Sequence, residues 1–296
     1  MLGTGNRRST LGITTFFVQM GQFIDHDLTL TPEENTPQCC RNNRAGEPWL
    51  FTDNFDEDAC IPIRIPDDDR IWGRRGRTCF EVHRSMVALN IPDCEAKAHR
   101  EQWDALTHFL DNSNVYGSTM MEARDVRDGR LLKINPRSRQ IRGGGGRAVL
   151  PACATANRNN NACEGICQQP NRSCKIAGDQ RVNEQIGLTS HHTLWLREHN
   201  RLSDALESLN THWDQERVFQ EARRIVIAQW QHIIYSQWLP ILLGRTYMTT
   251  FNMFPQTSGY SNSYKETLDP RINNEFATAA FRSSHLFKIL DLFCDN

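Results

Sequence analysis

Residues 19–33 read QMGQFIDHDLTLTPE, and the reading of this stretch decides the rest. Gln22, Asp25 and His26 fall at i, i+3 and i+4, so on a helix their side chains leave from one face. Asp27 follows at once, turned about 100° away toward a different neighbour. An amide, a carboxyl and an imidazole that converge beside a separately aimed carboxylate have the layout of a reaction pocket. The bland alternative is a solvated helix end, on which an Asp-His-Asp run is common.

Three further segments decide between these readings. Residues 106–118 read LTHFLDNSNVYGS, residues 177–201 read AGDQRVNEQIGLTSHHTLWLREHNR, and residues 281–285 read FRSSH. In this order and at these separations the four segments resemble the animal haem peroxidase (peroxidase–cyclooxygenase) family, from about Thr14 to about His285. The resemblance implies a mainly α fold, with residues 1–296 a single partial haem peroxidase catalytic domain.

Size and composition bound the reading further. A chain of 296 residues can bury a real core. Its 34 Lys and Arg balance 35 Asp and Glu, and a net charge of −1 gives no basic field for nucleic acid. Arg74, Arg75 and Arg77 read as a solvated loop. No apolar run approaches the roughly 18–20 residues of a membrane span, and the start, MLGTGNRRSTLG, lacks the apolar core of a signal peptide. The ten cysteines point outward all the same. Cys39, Cys40, Cys60, Cys79 and Cys94 form one group, Cys153, Cys163, Cys167 and Cys174 a second, and Cys294 stands in the tail. Zinc is the rival explanation, but no C-x2-C pair recurs, so disulfides in an oxidising compartment are favoured. The sequon Asn171-Arg172-Ser173 agrees with secretion.

Periodicity supports helices. Residues 14–28 read as one, with Phe16, Phe17, Met20 and Ile24 giving apolar contacts. From 32 to about 100 the chain is rich in Pro, Asp, Arg and Cys, which predicts long stapled loops. Helix character resumes over 100–111 and again over 118–130, and Gly143–Gly146 reads as a flexible link. Leu188, Leu194, Leu202, Leu206 and Leu209 mark a helix over 188–209. Asp214 can cap another over 215–239 that buries Val218, Phe219, Ala222, Ile225, Val226, Ile233 and Ile234 and ends at Pro240 and Gly244. A last helix spans about 273–292. No alternating run is long enough for a convincing sheet.

Each site residue has a chemical reading. His26 is the candidate distal base, since a neutral imidazole with a pKa near ~6.5 can take a proton from peroxide and return it. Gln22, one turn earlier, can hydrogen-bond in the same pocket, and Arg181 offers a fixed positive charge. The resemblance implies haem b, ester-linked through Asp25 and Glu184, and esterification removes two charges that would be costly beside an apolar macrocycle. Where the myeloperoxidase branch places a methionine for a third link, this chain has Gln185, so strong chloride oxidation is not expected. Asp27, Thr107, Phe109 (through its carbonyl), Asp111 and Ser113 offer hard oxygen donors suited to Ca2+. His285, in Arg-x-x-His at 282–285, matches the family's proximal ligand of the haem iron. His191, His192 and His199 read as core contacts, and Trp195, Trp230 and Trp238 as packing.

The leading expectation is a secreted haem peroxidase. It would reduce hydrogen peroxide, oxidise phenolic, tyrosyl, halide or pseudohalide donors and serve in the response to oxidative stress. The proximal histidine's usual asparagine partner lies far downstream in the family, and the chain ends eleven residues past His285. A truncated, non-catalytic fragment or adhesion module is therefore the alternative. A lipid dioxygenase is disfavoured, because the tyrosine it needs lies in a region beyond this sequence.

Overall fold

The computed structural model describes residues 14–33, 38–41, 48–89, 99–136, 138, 148–152 and 174–282. The chain forms two compact units, one of Leu30–Ala105 and the other of Met1–Thr29 with Leu106–Asn296.

The larger unit is mainly helical, as expected. Helix α1 (Thr15–Leu28) starts where extended Thr14 accepts a hydrogen bond from the Phe17 amide through its hydroxyl, at 3.2 Å. It buries Val18, Met20, Phe23 and Ile24, and burial continues through Asp25, His26 and Asp27. Two short helices, α2 (Ser113–Tyr116) and α3 (Met120–Val126), follow in the second part of the unit, the latter opened by a Thr119–Glu122 capping box. Strands β3 (Arg127–Asp128) and β4 (Leu131–Leu132) form an antiparallel pair. (Strands β1, Ile63–Arg64, and β2, Cys79–Phe80, belong to the smaller unit.)

The long helices α4 (Ile186–Leu209) and α5 (Gln215–Ile233) pack on each other, and α4 also packs on α1. The Asp214 carboxylate accepts from the Arg217 amide at 2.7 Å and caps α5. The buried stripe of α4 is Leu188, His191, His192, Trp195, Leu196, His199 and Ser203, whereas Leu194 and Leu209 face solvent. On α5, Val218, Phe219, Ala222 and Val226 are buried as expected, but Ile225 is exposed. Phe23 is fully buried, edge-on to His192 at 4.9 Å and to Trp230 at 5.4 Å between ring centres, and stacked on His191 at 5.3 Å.

Four helical readings differ from the structure. The helix expected over 118–130 stops at Val126, and Arg127–Asp128 pair instead as strand β3. Pro240 does not end α5: a π-helical turn (Ile234–Trp238) leads into α6 (Leu239–Thr250), whose first turn holds the proline, where its missing N–H is no loss. The break comes inside α6 at Gly244, with φ of 78°. Residues 100–111 are not helical. Their amides pair instead with distant backbone, Trp103 with the Met86 carbonyl and Ala105 with that of Leu30. The last expected helix begins as α7 (Asn274–Thr278) and a 3-10 turn (Ala280–Arg282), and its remainder lies outside the described residues.

Gly178 joins the α2 backbone to the segment that leads into α4. A Cβ there would stand 2.4 Å from the Gly117 nitrogen and 2.6 Å from the Val115 carbonyl carbon. Only glycine permits this approach, and it fixes the position of Asp179 and Arg181.

The smaller unit is loop-rich and stapled, as its composition suggested. It holds the β1–β2 pair and disulfides Cys39–Cys60 and Cys40–Cys79. Arg77 is not simply solvated, for its guanidinium lies over Trp72 and Phe80 at 5.4 and 4.9 Å. Cys174, in the larger unit, is disulfide-bonded too. Cys94, Cys153, Cys163, Cys167, Cys294, the 143–146 glycines and the Asn171 sequon lie outside the described residues. Among the described residues no helix is long and apolar enough to cross a membrane.

Phe23→Ala is expected to destabilise the chain by about 3–5 kcal/mol in urea denaturation. Met120→Ala, at a side chain 90% exposed, should stay within about 0.5 kcal/mol. Equal effects would contradict the core assignment.

Candidate active site

The last turn of α1 carries three ionisable side chains into the interior, and each goes to a different partner. Asp25, 7% exposed, accepts from the Thr29 hydroxyl at 2.8 Å. His26, 3% exposed, brings its Nε2 to 3.9 Å from a Glu184 carboxylate oxygen. That oxygen also accepts from the Gln22 amide at 2.9 Å. Gln185 in turn donates to the Gln22 amide oxygen. Gln22, Asp25, His26 and Glu184 thus gather where α1 meets the entry to α4.

Arg181 closes this group from below. It lies in a 3-10 turn (Gln180–Asn183) capped by the Asp179 carboxylate, which accepts from the Arg181 amide at 2.8 Å. The Arg181 guanidinium grips the same carboxylate through Nε at 3.0 Å and Nη2 at 2.7 Å. Its other donors reach the Thr29 carbonyl at 2.9 Å and the His26 carbonyl at 3.3 Å. The arginine therefore satisfies carbonyls that the C-terminus of α1 cannot pair internally.

The pair is electrostatically matched. Burial alone would raise the Asp179 carboxyl, but the Arg181 charge and hydrogen bonds, with His26 nearby, hold it down to about 2. Burial opposes the Arg181 charge as well, and Asp179 overcomes it and raises the guanidinium above its ordinary value. Just beyond, burial pushes His192 down to about 4, so this imidazole is neutral.

Asp27 points to the opposite side and is wholly buried. Its carboxylate accepts from the Trp230 indole at 2.8 Å, the Asn112 amide at 3.2 Å and the Ser113 hydroxyl at 3.3 Å. Asn112 presents its amide from a left-handed conformation, φ 56°, which asparagine tolerates. Asp111 accepts from the Thr107 hydroxyl at 3.0 Å and from the Ser113 amide at 3.0 Å, while its own amide donates to the Phe109 carbonyl. Burial pushes the Asp27 carboxyl up to about 7, and the Asp111 charge adds to this against the lowering by Trp230.

The structure thus gathers the expected residues into two adjoining sets, Gln22, Asp25, His26, Arg181 and Glu184 in one and Asp27, Thr107, Phe109, Asp111 and Ser113 in the other. Phe109 takes part through its carbonyl, and its ring is half exposed. His285 lies outside the described residues. His191, His192 and His199 are buried in the core as expected. The sequence reading missed Asp179, Gln185 as a hydrogen-bond partner, and Trp230 as more than packing. Asp179 had a signal, an acid two residues before an arginine at the start of a turn, whereas Trp230 had none.

Comparison with known proteins identifies the family. The family model described as "Animal haem peroxidase" matches residues 2–289. The chain is 38% identical over 281 residues to a chorion peroxidase of Aedes aegypti, covering 92% of this chain and 33% of that protein. It is 35% identical over 290 residues to peroxidasin of Drosophila melanogaster, covering 92% of this chain and 17% of that protein. The solved structure of peroxidase A from Dictyostelium discoideum superposes with a TM-score of 0.67 at 26% identity, over 96% of this chain and 48% of that one. The chain spans a third or less of the length of these two curated relatives. It belongs to the animal haem peroxidase family.

Proposed function

We propose that the chain carries the distal half of a haem peroxidase site, one that reduces hydrogen peroxide and oxidises small donors of the phenolic, tyrosyl, halide or pseudohalide kind. The observation that carries this reading is the gathering of His26, Gln22, Asp25, Glu184 and Arg181 at one helix end. Their chemistry fits a haem: an imidazole able to take and return a proton, an amide donor and two carboxyls able to form esters. Asp25, Glu184 and His285 would hold the group. When bound, haem supplies the redox equivalents of the reaction.

The chain's own residues would manage the protons. His26 Nε2 takes a proton from one peroxide oxygen and returns it to the other, which leaves as water. Gln22 orients the peroxide through its amide. Arg181 has its charge shared with Asp179, so its first contribution is to fix the base on α1 and its second is the residual field. The units Leu30–Ala105 and the remainder are read as parts of one peroxidase domain. The names of the relatives and the cysteine usage support secretion, and the same reading carries a role in the response to oxidative stress.

The second set is read as a Ca2+ site. Two carboxylates, two hydroxyls and a carbonyl are hard oxygen donors. A divalent cation between Asp27 and Asp111 would offset both the burial of the first and the repulsion between them. It would also tie the 107–113 loop to the residue next to His26.

Two experiments test these readings. Reconstituted with haemin, the chain should show a Soret band and oxidise a phenolic dye with peroxide, and His26→Ala should lower that rate by about 10²-fold or more. No Soret band would support the non-catalytic alternative instead, and unchanged turnover in His26→Ala would remove its role as base. Calcium at about one hundred times its Kd should raise stability by about 2.7 kcal/mol over chelator. The gain should vanish in Asp111→Asn, and identical melting in calcium and chelator would overturn the site.

A further inference from the structure

Zinc is disfavoured for the cysteines as a set, but one place in the smaller unit carries a zinc donor set all the same. Cys39 Sγ lies 3.7 Å from His83 Nδ1, and His83 Nε2 lies 3.5 Å from a Glu81 carboxylate oxygen. The same oxygen accepts from the Cys39 amide at 2.7 Å. One donor atom from each of Cys39, Glu81 and His83 falls within 4.8 Å of the others. Cys60 completes the group, since it is bonded to Cys39 and its backbone bridges to that of His83. Both sulfurs are buried, while the His83 and Glu81 side chains are 23% and 18% exposed and form an edge through which an ion can enter.

We propose that the reduced chain binds one zinc ion here, through the Cys39 and Cys60 thiolates, His83 and Glu81. Two sulfurs, a nitrogen and an oxygen suit this borderline-soft metal, whose tetrahedral bond lengths imply donor separations of about 3.4–3.8 Å. The Cys39 Sγ–His83 Nδ1 pair already has that spacing, whereas Glu81 lies at the opposite ring nitrogen, so the two sulfurs must part and the carboxylate must turn toward the ion. The ion would then cross-link the same two segments that the disulfide links. The two states interconvert in a balanced step. Two zinc-bound thiolates lose two electrons and form the S–S bond, hydrogen peroxide takes these electrons and two protons to give two waters, and Zn2+ departs. The reverse needs a dithiol or phosphine reductant. Zinc would thus hold this unit together before oxidation, and peroxide would replace the ion with a covalent staple.

The test is metal titration of the full chain after phosphine reduction, with cobalt(II) as the spectroscopic probe and zinc as competitor. One equivalent should give the ligand-field bands of a tetrahedral sulfur-containing site, and peroxide should release the metal as Cys39–Cys60 reforms, read by peptide mapping. His83→Ala should weaken binding by at least about tenfold, the loss that even an outer-shell partner causes. The Cys39→Ser/Cys60→Ser chain, which keeps every other cysteine, should lose the equivalent altogether. Metal uptake by that double variant equal to the wild type would overturn the proposal, as would a reduced chain that binds no metal. Oxidised His83→Ala, with the disulfide in place, controls for folding.

Discussion

The buried Arg181–Asp179 pair is the constraint on which the site depends. Helix α1 ends in the interior, where unpaired carbonyls are costly, and its last turn carries three ionisable side chains there as well. One guanidinium answers both needs. It donates to the carbonyls of His26 and Thr29, and Asp179 neutralises it at 2.7 Å. Removal of either partner would leave an uncompensated charge in the core, a far larger cost than the net contribution of the pair itself. Such a pair serves geometry more than stability: it fixes where the imidazole of His26 stands.

The same turn is held from its other side through Asp27. Trp230 of α5 and the Asn112–Ser113 turn both donate to it, so the long helices and the 107–113 loop meet at one carboxylate. His26 is thus framed by two independent attachments on neighbouring residues. The alternation in Asp25-His26-Asp27 has a physical sense here, because successive residues on a helix point to different neighbours and each neighbour supplies a different kind of partner.

Much of this was legible in the sequence, for reasons that differ by element. Helices α1, α4 and α5 announce themselves through sustained periodicity, and α5 also through its cap at Asp214. The stapled loops follow from composition. Residues 100–111 misled because their short apolar spacing resembles a helical turn, while the partners that hold them extended, Met86 and Leu30, are remote in sequence. Pro240 misled because proline is tolerated in a first turn, and a π-turn before it leaves no trace in the pattern. Within the site, the clustered residues were readable from local spacing and from the family resemblance together. The indole bond from Trp230 to Asp27 joins residues far apart along the chain, and periodicity assigned that ring to packing alone.

The central claim is that Asp179 is an ionised buried partner of Arg181. A group whose folded pKa is depressed lends stability above its unfolded pKa and loses it as pH falls through the folded one. For Asp179 that window runs from the ordinary value of 3.8 down to about 2. The most direct measurement is a site-resolved carbon-13 NMR titration of the Asp179 carboxyl in the folded chain. The account predicts a midpoint near 2, with stability lost across that same interval. A midpoint at or above 3.8 would mean that the arginine does not grip this carboxylate, and the positioning of His26 would need another explanation.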